Sequence, residues 1–234
     1  MAKRQIILDT ETTGINPAEG HRIVEIGCVE MINRRLTGHN FHVYINPDRT
    51  MDQEVINIHG ITNEFVADKP RFREIAAAFF QYIQGAELVI HNAAFDVGFI
   101  NHEFSLLSPA LPPVASICSI LDSLAMARDL HPGQKNNLDA LCRRYDVKNS
   151  HRTFHGALLD AEILADVYLA MTGGQVSLNL AAHQDDQHQQ VQQQSALIRR
   201  GPLQVLQATA EELVLHEQRL DLVQKKGGSC LWRQ

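Results

Sequence analysis

Four acids in this sequence interrupt apolar surroundings: Asp9, Glu11, Asp96 and Asp160. In Ile7-Leu8-Asp9-Thr10-Glu11 the two carboxylates stand at i and i+2, so a strand puts them on one face, roughly 7 Å apart along it. Two acids at the end of a buried strand repel each other unless a cation joins them. A strand end emerging into solvent is the competing explanation. Asp96, in His91-Asn92-Ala93-Ala94-Phe95-Asp96, falls about one turn inside a helix that Asn92 is expected to cap. Its carboxylate would tilt back toward the positive end of that helix, and taken alone it needs no role beyond complementing the dipole. Asp160 follows His155-Gly156-Ala157-Leu158-Leu159, again early in a helix. Five residues is not a facing interval on a helix, so a shared site requires His155 to project from the entry loop. With 12 histidines in the chain, a solvated loop His is the plainer reading of His155 by itself.

Each signal is weak singly, and the combination is not. Four acids at the ends of core elements, with a His beside the last, match the needs of two divalent metal ions ~3.5–4 Å apart. Such a pair aligns a water and a leaving oxygen for in-line phosphoryl displacement. Hard oxygen ligands select Mg²⁺ or Mn²⁺ over zinc. A neutral His, with a pKa near ~6.5, can take the proton from the attacking water. A calcium loop is excluded: Asp9-x-Glu11-x-Thr13-Gly14 opens like one, but its twelfth position is Gly20 instead of a bidentate Glu.

The elements that must position these groups are legible from periodicity. Arg4–Thr10 and Arg22–Ile32 read as strands, followed by a polar turn at Asn33-Arg34-Arg35 and strict alternation at Phe41, Val43 and Ile45. Such a meander predicts antiparallel pairing. Phe72, Ile75, Ala76, Phe79 and Ile83 have helical spacing, stopped by Gly85. Leu88-Val89-Ile90 predicts a buried strand, with a helix from about Ala93. Val114–Ile120 predicts a further strand, and helical patterns cover roughly 120–130, 136–146 and 156–171. The sum is an α/β fold: a mixed β-sheet, antiparallel meander then parallel strands, flanked by helices.

The chain has 234 residues with a formal net charge of −6, and 44% of them are hydrophobic. No apolar run approaches the ~18 residues that span a bilayer. The N-terminal apolar stretch is too short for a secretory signal, and four scattered cysteines argue against zinc ribbons or disulfides. A reduced, cytoplasmic protein is expected. Composition changes after Gly173-Gly174: between Gln184 and Gln194, seven of eleven residues are Gln. That stretch cannot bury enough apolar surface to offset its ordering entropy, so 181–195 is expected to be a flexible linker. Beyond it, Thr209-x-x-Glu212 is a capping box, Leu213, Leu220 and Val223 mark one helical stripe, and Trp232 follows. A stripe and a Trp at the end of a tether predict a docking segment over 196–234.

Asp9-Thr10-Glu11-Thr12-Thr13-Gly14, His91-Asn92-x-x-Phe95-Asp96 and His155-x4-Asp160 together resemble the three motifs of the DEDDh family of 3′→5′ exonucleases. Within it, Asn33–Asn40, Gly85–Asp96, His155–Gly174 and Leu220–Trp232 resemble the proofreading subunits of bacterial replicative polymerases, so the resemblance spans nearly the whole chain. It implies a ribonuclease-H-like fold for an exonuclease domain over 1–174. It implies Asp9, Glu11, Asp96 and Asp160 as metal ligands and His155 as general base. It also implies contacts from Glu54 and His59 to the terminal nucleotide, with Thr12, His91, Asn92 and Phe95 lining the same cleft. Gln175-Val176-Ser177-Leu178-Asn179-Leu180 resembles the peptide by which replication proteins enter the sliding clamp (beta), with Gln175, Leu178 and Leu180 as its contacts. The implied partners are a primer 3′ end, single-stranded or frayed, and the polymerase catalytic (alpha) subunit, with a small accessory (theta) subunit as a further candidate.

All of the net charge lies in residues 1–174, where 15 Lys+Arg face 21 Asp+Glu. That balance implies weak intrinsic DNA binding, because affinity comes from phosphate neutralisation by basic groups. The tail would then supply effective concentration. The ~16-residue linker spans roughly 20–25 Å by flexible-chain scaling. Truncation after Gly174 is therefore expected to leave a folded domain that digests short single-stranded DNA as fast as the full chain. Gel filtration with the polymerase subunit checks the other half: residues 1–174 should fail to co-elute, and full retention would place the docking surface on the first domain.

Overall fold

The computed structural model describes residues 3–149, 154–173, 208–228 and 230–233. They fall into two units, one ending with the residues up to 173 and the other beginning with those from 208. In the first, six strands make one sheet: β1 (Arg4–Thr12), β2 (Ile23–Ile32), β3 (Arg35–Leu36), β4 (Phe41–Tyr44), β5 (Glu87–Ile90) and β6 (Ser119–Asp122). β2 runs antiparallel to β1 along its length, and β3 and β4 both pair antiparallel with the far edge of β2. β5 is parallel to β1, and β6 is parallel to β5. The expected meander followed by parallel strands is what forms. The β2–β3 turn has φ of 49° at Asn33 and 65° at Arg34. This is the mirror-image turn whose twist matches the strands it joins.

The helices are α1 (Gln53–His59), α2 (Asn63–Val66), α3 (Phe72–Ile83), α4 (Ala93–Ser105), α5 (Val114–Ile117), α6 (Ser123–Leu130), α7 (Leu138–Tyr145) and α8 (Ala157–Gly173). Strand alternation decides which helices cover which face. Ile6 and Leu8 of β1 and Leu88 and Ile90 of β5 join Phe72, Phe79, Phe99 and Phe104 of α3 and α4. Ile7 and Val89 point the other way, into Leu141, Ala161, Leu164 and Val167 of α7 and α8. With both faces buried, the strands read as continuous apolar runs instead of alternating ones.

One expectation needs correcting. Val114–Ile120 is not one strand: Val114–Ile117 is a helical turn entered from Pro112-Pro113, and the strand begins at Ser119. Pro113 holds the helix entry at φ −59°, and β6 is an edge strand whose apolar residues are partly exposed. The stretch around Glu54, whose sequence shows no strong periodicity, forms the helix α1.

The second unit holds α9 (Ala210–Gly227), capped as expected by the reciprocal Thr209–Glu212 box. Leu213, Val223 and Trp232 are exposed, whereas Leu220 is buried and so forms no part of an exposed stripe. The proposed clamp peptide, with Gln175, Leu178 and Leu180, and the Gln-rich linker lie outside the described residues.

One ion pair ties the layer bearing Asp96 to the sheet. Glu103 of α4, 1% exposed, accepts two bonds from Arg22, Nε at 2.7 Å and Nη2 at 2.6 Å. Arg22→Ala leaves that carboxylate buried with only the Ile23 amide, at 3.3 Å, as a partner, which costs about 3 kcal/mol given that Arg22 is itself partly exposed. Thermal melting should report the loss, and an unchanged midpoint would show that water replaces the guanidinium.

Candidate active site

The alternation of β1 continues beyond its apolar section. Asp9 and Glu11 share the face of Ile7, toward α8, while Thr10 shares the face of Leu8, toward α4. The pairing with β2 slips between Glu11 and Thr12, so the strand is bulged where its acids end. Thr10 Oγ1 donates to Asp96 Oδ1 at 2.7 Å, joining the strand to the first turn of α4. Asp96 is buried, and burial above all raises its carboxyl pKa to about 7, against the lowering effect of the Thr10 hydrogen bond.

The entry to α4 is capped differently from expectation. Asn92 stands at the cap position with φ 69°, in the left-handed region, and its side chain accepts no bond from the helix. Asp122, at the end of the neighbouring β6, takes over. Its carboxylate accepts from Asn92 N at 3.3 Å and Ala93 N at 3.2 Å, and also from Leu124 N at 2.8 Å in α6. One acid thus serves two helix N-termini.

Asp160 lies in the first turn of α8, its N–H donating to Gly156 O at 2.8 Å, and its side chain is buried. His155 precedes the helix, as the five-residue interval requires. Its Nδ1 lies 3.5 Å from Asp160 Oδ2, its side chain is 50% exposed, and its backbone N–H donates to Ile58 O at the end of α1.

These elements close on a cavity of about 250 Å³ lined by Asp9, Thr10, Glu11, His91, Asn92, Phe95, Asp96, Leu138, His155 and Asp160. A larger hollow of about 490 Å³, near Leu106–Leu111, has Arg73 as its only charged wall, so the chemistry belongs to the smaller one. One ligand atom each from Glu11, His155 and Asp160 lie within 4.8 Å of one another. A donor set dominated by carboxylate oxygens fits a hard divalent cation.

Of the other expected residues, His91 lines the cavity with Nδ1 at 3.0 Å from Ser123 Oγ, and burial lowers its pKa. His59 ends α1 outside the lining, buried, with Nδ1 accepting from Ile61 N at 3.0 Å. Its pKa is lowered chiefly by burial, and Glu25 and His155 are the charged groups it feels. Thr12 is buried and donates to Gly14 O at 2.6 Å, outside the lining. Glu54 is exposed in the first turn of α1, also outside it. Sequence reading missed Thr10, Leu138, Asp122 and the buried Glu25. Glu25 carried a usable signal, because it interrupts the apolar run Ile23-Val24-Glu25-Ile26 just as Asp9 interrupts its own.

The raised pKa of Asp96 has a signed consequence. A carboxyl held at about 7 against an ordinary 3.8 keeps its proton in the folded state where the unfolded chain has lost it. Its contribution to stability is present below about pH 4 and lost as pH rises toward 7. In chelator, Asp96→Asn should therefore melt higher than the wild type by a margin that grows from about pH 5 to about pH 7.5. A margin independent of pH would contradict the assignment.

Comparison with known proteins places this cavity in a family. Residues 6–168 match the family RNase_T, described as exonuclease. The chain is 59% identical over 236 residues to DNA polymerase III subunit epsilon of Escherichia coli (strain K12), covering 98% of this chain and 97% of that one. It is 56% identical over 238 residues to the same subunit of Pasteurella multocida (strain Pm70), covering 99% and 94%. Among solved structures, Exonuclease X in complex with 5′ overhanging duplex DNA superposes with a TM-score of 0.57 at 27% identity, over 72% of this chain and 91% of that one. The nuclease domain of 3′hExo, a DEDDh family member bound to rAMP, shares the fold with a TM-score of 0.62 at 19% identity, over 73% and 92%. Sequence, fold and cavity agree, and the chain belongs to the DNA polymerase III epsilon-subunit family of RNase_T exonucleases.

Proposed function

We infer that this protein is a 3′→5′ DNA exonuclease that removes mispaired nucleotides from a primer 3′ end, as the proofreading subunit of a replicative DNA polymerase. The observation that carries this reading is the convergence of Asp9, Glu11, Asp96, Asp160 and His155 on one cavity. The family implies divalent metal ions. We assign two here, Mg²⁺ or Mn²⁺, to Asp9, Glu11, Asp96 and Asp160. Bound there, they would supply positive charge to the scissile phosphate and acidify a water.

The chain's own residues do the rest. Thr10 fixes the Asp96 carboxylate by its hydrogen bond, and Asp96 and Asp160 both stand in first turns, where the helix dipole favours their ionised forms. His155 takes the proton of the attacking water, and its half-exposed ring can pass that proton to solvent. His91, Asn92 and Phe95 line the space for the terminal nucleotide. Thr12, Glu54 and His59 are assigned to its surroundings, with His59 beside His155.

Relatives named for DNA polymerase III support a polymerase assembly and a DNA substrate. We assign the catalytic (alpha) subunit to the segment 196–234, where α9 and the residues after it expose Leu213, Val223 and Trp232, the last at 84%. The clamp (beta) is assigned to 175–180, the tether to 181–195 and the exonuclease to 1–174. A theta-like accessory subunit would bind the first domain. No helix among the described residues is long and apolar enough to cross a membrane, and a cytoplasmic site of action follows from the replication role.

Digestion of a 5′-labelled primer, paired or mispaired, tests the reading. The expected result is a ladder shortening from the 3′ end, faster for mispairs and absent in EDTA, whereas no degradation with any divalent metal would sink it. His155→Ala should lower the maximal rate roughly 10²–10⁴-fold with metal affinity nearly intact. A variant that instead needed far more Mn²⁺ for half-saturation would make His155 a ligand and not the base.

A further inference from the structure

We propose that Glu25 is a positioning residue that seats the N-terminus of α8, and with it His155 and Asp160, against Glu11. The inference rests on the exonuclease reading for its kinetic consequence and on geometry for the rest. Glu25 is the register partner of Glu11 across the antiparallel β1–β2 pair, so the two carboxylates lie side by side on the face toward α8. Only Glu11 reaches the cavity. Glu25 is 2% exposed and spends its oxygens elsewhere. Oε1 lies 2.7 Å from His42 Nε2, and Oε2 accepts the backbone N–H of Ala157 at 3.1 Å.

Ala157 is the first residue of α8, and its amide is one of the four that a helix leaves without an internal partner. A buried amide in that position needs an acceptor, and leaving it unmade costs its full desolvation. His155 lies two residues before Ala157 and Asp160 three after, so the bond sits in the middle of the segment that carries both groups. Gly27, two residues beyond Glu25 on the same face of β2, sets the depth. A Cβ there would come within 2.2 Å of Ala157 C and Leu158 N, so the helix backbone rests directly on the strand. Gly27 permits the approach, and Glu25 fixes where along the strand it happens. Ligand atoms of Glu11, His155 and Asp160 within 4.8 Å of one another are the product of that seating.

Two near-isosteric variants of the full chain separate reach from charge. Glu25→Gln keeps the length and an acceptor oxygen for Ala157 N–H, and its amide can donate to a neutral His42. Glu25→Asp keeps the charge but withdraws it by one methylene. Hydrogen exchange at the Ala157 amide, without metal, is read beside steady-state digestion of a 5′-labelled single-stranded oligonucleotide. Glu25→Gln should hold kcat within roughly threefold of wild type and leave the exchange unchanged. Glu25→Asp should lower kcat roughly 10–100-fold, the scale of an ångström-sized misplacement. Its KM should move less than about threefold, and its Ala157 amide should exchange about tenfold faster or more. Gln as impaired as Asp, or Asp equal to wild type in both measurements, overturns the proposal. If Glu25→Asp does not fold, the Gln variant decides: wild-type kcat and protection support the proposal, and loss of either in a folded protein overturns it. An inactive wild type refutes the exonuclease reading instead, and the exchange comparison still judges Glu25.

Discussion

Carboxylates gathered in one cleft repel one another, the buried ones also lose hydration, and the architecture around this cavity is organised by that cost. Desolvation alone penalises a buried acid by several pKa units, and burial is the largest cause that pushes Asp96 up to about 7. The compensations are local and directional. Thr10 donates to Asp96, and α4 and α8 start at the cavity so that their positive ends face it. The cavity also opens where β1 and β5 end, the place where a parallel sheet flanked by helices leaves a crevice.

The acids around this crevice divide by what they face. Glu25 and Asp122 accept from backbone amides at helix starts, Glu25 at α8 while its other oxygen meets His42, and Asp122 at α4 and α6. Asp9, Glu11, Asp96 and Asp160 face the cavity instead. The first pair builds the frame, and the second set is held by it in a geometry that a cation can satisfy. Glu11 and Glu25 make the contrast sharpest, since register sets them opposite each other on one face.

This division also explains how much was legible from sequence. The strands β1, β2 and β5 and the helices α3, α4 and α8 carry dense apolar patterns because each packs on a core, and the acids proposed for catalysis stand out as interruptions. The short elements were harder. α1 presents a mostly polar surface to solvent and shows little period, and α5 hides a helical turn inside an apolar run. Asn92 looked like a cap because its residue type and place are right. Its left-handed backbone and the carboxylate of Asp122, 30 residues further on, decided otherwise, and no local pattern can announce a partner that far away. Glu25 was overlooked for a different reason: it gave the same signal as Asp9 but belongs to none of the motifs that drew attention to the others.

The same physics bears on how such a domain meets DNA. A nucleic-acid enzyme ordinarily draws affinity from free basic groups, yet five of the eleven arginines in residues 1–174 are engaged within the fold. Arg4 pairs with Glu30, Arg22 with Glu103 and Arg71 with Asp48. Arg34 binds the last turn of α8 through Leu169 O and Thr172, and Arg144 binds Asn136 and the carbonyl of Lys135. The balance of 15 basic against 21 acidic side chains in residues 1–174 works against strong phosphate binding. Cations bound in the cavity would reverse the sign only at the reacting phosphate. A domain built this way gains little from searching DNA by itself and much from being held near a primer end. The α9 segment, with its exposed leucines, valines and Trp232, has the chemistry for the holding proposed above. Under the proposed function, weak grip and a docked tail go together, because a nuclease that bound DNA tightly would compete with the polymerase for correctly paired ends.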